Sequence, residues 1–245
     1  MNQIRTSFAT FALSCLGLLT VPQLAFGQAT TAGAAVKEPV IARGFIGSPR
    51  FETKEGPLGA GTAFLMKTDR QFEVVLLTAL HLFGPHGGLK TQKTQAELPS
   101  LVTKVALQDI TGINELKMPL VAVPIKIDPS PDLVVFRPTI SNLVTNPGRF
   151  ADALPAVGET LWLAAHVRQP RGVTLHACTV TEIKGERIHC RFVNQAIETN
   201  GGSGGPYLNA KGEVVGIHDG SVKTEGNKQG IILSAAAIRA VLKSL

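Results

Sequence analysis

Short apolar runs rich in Val, Ile, Leu, Phe and Thr recur along the chain: TAFLM, FEVVLLT, LVAVPIKI, LVVFR, TLWLAA, VTLHACTV, RIHCRFV, EVVGIH and GIIL. Gly, Pro, Asn, Asp and Lys punctuate them. β-branched and aromatic residues suit a pleated, half-buried surface. Many such strands without alternating helices indicate an all-β barrel or sandwich rather than βαβ units. The one helical period lies at the end, where Ile238, Val241, Leu242 and Leu245 follow Ser234, a capping residue. The stretch PTISNLVTNPGRFADALPAVGE, 138–159, is polar and proline-bearing, and marks the boundary between two strand-rich halves, 41–137 and 160–233, with the helix at 234–245.

The first residues break this pattern. MNQIR is followed by the uncharged run FATFALSCLGLLTV and then by the small residues Ala25 and Gly27. That layout is expected of a secretory leader over 1–27, cleaved near Gly27. The apolar run is short for a span of ~20 residues and Pro22 interrupts it, so no membrane span is expected after processing. Anchoring, through this run or a lipidated Cys15, is the alternative. Residues 28–40 are Ala-, Thr- and Gly-rich and are expected to form a disordered or pro-segment.

The formal charge is +6 over 245 residues, with no long basic run, which argues against nucleic acid as a partner. Two cysteines lie outside the leader, Cys178 and Cys190. Between them TVTEIKGERIH reads as a hairpin with a three-residue loop at Ile183–Gly185, its last position suited to glycine. That register sets Cys178 opposite Cys190, and export makes a disulfide between them the expectation. His176 and His189 raise a zinc alternative, but His189 neighbours Cys190 and must face the other side of the sheet. Neither a metal nor a cofactor is expected.

Three fragments carry chemistry. VVLLTALHLFG ends a buried strand and presents His81; PDLVVFR places Asp132 before another; NGGSGGPY sets Ser203 between glycine pairs. A serine hydroxyl needs a base to become a nucleophile. A histidine base needs a carboxylate on its other ring nitrogen. Glycines around the serine let backbone N–H groups, here those of Gly201 and Ser203, turn toward a developing oxyanion.

These fragments resemble the chymotrypsin-like serine peptidases. Thr78 to His81 matches Thr-Ala-x-His, Asp132 to Val135 matches Asp-Leu-x-Val, and Gly201 to Pro206 matches Gly-x-Ser-Gly-Gly-Pro. The likeness runs from about residue 57 to 245 and is nearest to the exported bacterial branch that holds glutamyl endopeptidases and HtrA-like protease domains. It implies two six-stranded antiparallel β-barrels of chymotrypsin type with a C-terminal helix. It further implies a His81–Asp132–Ser203 triad in the seam and a monomer acting on polypeptide. Gly202 stands where many relatives carry Asp or Asn, and Leu80 where a small residue is usual. An inert double barrel that binds peptides is the rival reading. An α/β-hydrolase elbow at Ser203 is disfavoured, because Pro206 blocks the helix such an elbow requires.

The resemblance also implies a pocket walled by Ile197, Glu198 and Thr199 on one side and by His218, Asp219 and Ser221 on the other. His218 and Ser221 fit a substrate carboxylate, as in glutamyl enzymes, whereas Glu198 and Asp219 favour a cation. The sequence leaves that choice open.

Overall fold

The computed structural model describes residues 36–41, 45–70, 73–112, 115–123, 125–126, 131–139, 146–171, 174–224 and 226–245. The expected leader over 1–27 and most of the segment after it lie outside these residues. Among the described residues thirteen strands and two α-helices follow in order: β1 (Ile46–Thr53), β2 (Gly56–Gly59), β3 (Ala63–Lys67), β4 (Val74–Thr78), α1 (Leu98–Leu101), β5 (Val102–Asp109), β6 (Glu115–Val123) and β7 (Val134–Pro138), then β8 (Thr160–Ala164), β9 (Leu175–Lys184), β10 (Arg187–Phe192), β11 (Pro206–Leu208), β12 (Val214–Thr224), β13 (Asn227–Ser234) and α2 (Ala235–Ser244).

Strands β1-β3-β4-β7-β6-β5 form an antiparallel sheet that β1–β5 pairing closes, with β2 attached as a hairpin arm on β1. Strands β10-β13-β12-β11-β8-β9 form a second closed barrel. The expected two-barrel architecture with a closing helix is what the chain adopts. Closure pairs the edges of the six barrel strands, which is how barrels avoid edge-to-edge association, and leaves the short β2 arm as the exposed edge.

Side-chain alternation decides what fills each barrel. On β6, Met118, Leu120 and Ala122 are buried while Lys117 and Val121 point outward. On β9 and β10 the inward set is His176, Cys178, Val180, Ile188, Cys190 and Phe192. β3 and β4 are instead buried almost continuously, as expected of strands covered on both faces. The first core reaches across the seam to Ala164, Leu208, Ile217 and Leu233, and on to Ala237, Ile238 and Val241 of α2. Ser234 caps α2 by accepting the Ala237 N–H at 3.3 Å. No helix among the described residues is long and apolar enough to cross a membrane.

The β9–β10 hairpin corrects the expected disulfide. Its loop is two residues, Gly185-Glu186, between paired Lys184 and Arg187, with Gly185 at φ 57°. A bulge between His189 and Cys190 shifts the register again, so Cys190 faces Val180 and Cys178 faces Phe192. The sulfurs are thus diagonal neighbours, and both cysteines are free, buried thiols. Burial pushes the Cys178 thiol well up, and Cys190, hydrogen-bonded to it, is drawn down.

Candidate active site

β4 ends at Thr78, whose hydroxyl donates to the Thr62 carbonyl at 2.8 Å. The chain then turns through a single 3-10 turn, Leu80–Phe83, that carries His81. Leu82 and Phe83 on the same turn are buried. Phe83 packs on Phe51 and Phe136 with ring centroids 5.1 and 5.9 Å away. Burying one such ring is worth about 1.5–3 kcal/mol, so the core, not the histidine, fixes this turn.

Asp132 precedes β7 in a loop that Gln95 holds by donating to the Leu133 carbonyl at 2.5 Å. One carboxylate oxygen of Asp132 lies 2.5 Å from His81 Nδ1 and the other accepts the His81 backbone N–H at 2.7 Å. The Asp132 hydrogen bond outweighs burial and raises the His81 pKa above its ordinary value. Burial pushes Asp132 upward, yet the bonds from His81 outweigh it and hold the carboxyl below its usual range. With Nδ1 engaged, Nε2 is the ring atom left for chemistry.

Ser203 sits on a loop whose glycines have a steric reason. Gly201 and Gly204 adopt φ of 94° and 78°. A Cβ on Gly204 would lie 2.4 Å from the Thr62 carbonyl, and one on Gly201 would lie 2.5 Å from that of His166. The loop carbonyls are tied to the first barrel: Thr62 N–H donates to Ser203 O at 2.9 Å and Thr62 Oγ1 to Gly201 O at 2.8 Å. The Gly202 N–H bonds Thr199 O and the Gly204 N–H bonds His218 O. Among the described residues the N–H groups of Gly201 and Ser203 have no acceptor. The hydroxyl of Ser203 makes no hydrogen bond to His81 in this state. His81, His86, Asp132, Thr199, Ser203, His218, Asp219 and Ser221 line one open cleft of about 460 Å³.

A model of the trypsin-like peptidase domain family matches residues 61–217. The chain belongs to that family. Of solved structures, the active form of the Rv3671c protease from M. tuberculosis is similar, at TM-score 0.54 and 18% identity over 81% of this chain and 79% of that one. The serine endoprotease from Yersinia pestis aligns at TM-score 0.55 and 16% identity, over 83% of this chain and 63% of that one. The HtrA-type protease AlgW with tripeptide aligns at TM-score 0.54 and 15% identity, over 81% and 59%. At these identities the likeness speaks to the fold. No curated protein sequence matches the chain.

Within this trypsin-like domain the expected pocket residues separate. Ile197 is 3% exposed and belongs to the second barrel's core, so it does not reach the cleft. Glu198 is exposed and turns to Arg168, 3.3 Å away. Thr199 and Ser221 do meet, hydroxyl to hydroxyl at 2.7 Å. His218 lines the cleft, but its ring is buried and Nδ1 lies 2.9 Å from Tyr207 Oη. Burial, with the charges of His81 and Lys228, pushes His218 down to about 3. It is therefore neutral near pH 7, its Nδ1 sharing a hydrogen bond with the phenol. Asp219 does line the cleft, but its carboxylate is bonded by Arg187 and acts on Asp132. Thr62, Tyr207 and Arg187 escaped the sequence reading, because each acts through a partner distant in the chain.

Proposed function

We propose that the protein is a serine endopeptidase in which Ser203 is the nucleophile, His81 its base and Asp132 the acid that orients and charges His81. One observation carries this reading: the His81–Asp132 pair and Ser203 share a cleft with two uncommitted N–H groups on the serine loop. His81 Nε2 takes the Ser203 proton as Oγ attacks the scissile carbonyl. The N–H groups of Gly201 and Ser203 receive the oxyanion, and removing such a donor typically costs a factor of about 10²–10³. The imidazolium then protonates the leaving amine. A water activated by the same ring hydrolyses the acyl-enzyme and restores Ser203. Loose Ser–His contact in an unliganded site is compatible with this sequence of steps, since such bonds tighten on substrate binding.

For the side chain before the cut, the reading favours a neutral or acidic hydrogen-bond acceptor. The two carboxylates that suit a cation are engaged elsewhere, Glu198 with Arg168 and Asp219 with Arg187. Beside the Arg187-bound Asp219, the cleft offers His86, Asn200, the Thr199 and Ser221 hydroxyls and a neutral His218. A fluorophosphonate probe tests the core assignment. Labelling of wild type and not of Ser203→Ala supports it, whereas an unlabelled, folded wild type fits an inert peptide-binding double barrel. Export after cleavage near Gly27 belongs to the same proposal, and N-terminal sequencing of the processed protein tests it.

A further inference from the structure

β12 and β13 pair regularly except at one place. His218 faces Ile232 and Gly220 faces Ile231, which leaves Asp219 as the extra residue of a bulge. A bulge re-aims the side chain it carries. Here the Asp219 carboxyl is 8% exposed, is bonded by Arg187 Nη1 from the start of β10, and lines the same cleft as Asp132, whose carboxyl acts on it and pushes its pKa up. Two such carboxyl groups cannot both be ionised cheaply, so one proton between them is the low-energy arrangement.

We propose that Asp219 is a positioning residue for the His81–Asp132 pair, sharing one proton with Asp132 and tuning the basicity of His81, with Arg187 as counter-charge. As the acid, Asp219 donates to Asp132 and fixes the carboxylate that faces His81. When that proton leaves to solvent, Arg187 keeps the new carboxylate in place, and its charge adds to that of Asp132 in favouring the imidazolium. Burial, followed by the bond and charge of Asp132, pushes Asp219 up to about 6, against the pull of Arg187. The exchange therefore falls where the base itself begins to titrate. The charged and titratable groups around Asp219 are Asp132 and His81 across the cleft, Arg187 on β10 and His218 beside it, on which Lys228 also acts. In this family-like site the inference rests on the peptidase reading, but the coupling is measurable without turnover.

The test is the NMR titration of the His81 ring, with kcat/KM profiles alongside, in the full chain and in Asp219→Asn and Asp219→Ala. Asn keeps a donor to Asp132 and removes the charge. Its His81 midpoint should fall by about half a pH unit or more, and the acid limb of kcat/KM should move down with it. Asp219→Ala removes the donor as well and should lose at least about tenfold more in kcat than Asn. An unchanged His81 midpoint in Asp219→Asn overturns the proposal. So does an equal loss in Asn and Ala that merely follows an equal drop in Tm. A shifted midpoint in a protein that neither cleaves peptides nor takes the probe supports the coupling while removing the peptidase reading.

Discussion

Asp132 grips His81 twice, at the ring through one oxygen and at the backbone through the other, 2.5 and 2.7 Å. The double contact fixes the ring's tautomer and its position together. Asp132→Asn exchanges one acceptor for a donor and favours the wrong tautomer, so turnover should fall by a factor of about 10⁴ with KM little changed. Steady-state kinetics on a purified variant checks this. The raised His81 pKa sets the acid limb: the ring must be neutral to act, so kcat/KM should rise with pH and reach half its plateau above 6.5.

Matched peptides carrying Glu, Gln or Lys before the cut should be cleaved with Lys the slowest, since the cleft offers hydroxyls and a neutral imidazole. Thr199→Ala and Ser221→Ala should each reduce the preference for Glu and Gln over Lys by about 1–2 kcal/mol, the worth of a hydrogen bond to a charged or polar partner. A Lys-preferring enzyme would show that Glu198 swings back into the cleft.

Gly202 explains the missing acid before the serine. Its φ is not left-handed, yet a Cβ there would lie 2.9 Å from Thr199 O and 3.2 Å from Leu163 Cδ2. Gly202→Ala and Gly202→Asp should destabilise by about 1–3 kcal/mol through overpacking, with Asp the worse because its charge enters an apolar core. Urea unfolding of the pair measures it.

His218 should make the fold acid-sensitive. Its folded value, about 3, lies below the unfolded value near 6.5, so the stability it contributes is present above pH 6.5 and is lost as pH falls toward 3. Between pH 7 and 4 this is on the order of 3 kcal/mol. Asp219 runs the opposite way, its raised value costing stability as pH rises from about 4 to 6. His218→Gln should flatten the acid loss, and unfolding free energies at both pH values would reveal a slope that does not change.

The chemistry-bearing fragments were legible because each is a short loop motif whose residues do their work locally: the turn after β4, the approach to β7, the glycines at 201 and 204. Side-chain direction was not. Ile197 and Glu198 stand at pocket positions in the chain, but core packing and Arg168 turn them elsewhere, and in the cleft a bulge hands Asp219 to Arg187. Four strands were also hidden, one of them the four-residue arm β2, GPLG. β1 and β5 carry Pro49 and interleaved polar residues, and β11 is only three residues long. In these three, pairing with distant partners supplies the order that local propensity does not. The cysteine hairpin failed for a related reason: one residue fewer in the loop and one bulge move every opposite pair.

Thr62 bridges the two barrels. Through its N–H and its hydroxyl it holds the carbonyls of Ser203 and Gly201, so the first barrel sets the pose of a loop that the second barrel supplies. Neither half owns the site. A change that loosened the contact between the barrels would therefore displace the serine loop without touching His81, Asp132 or Ser203 themselves.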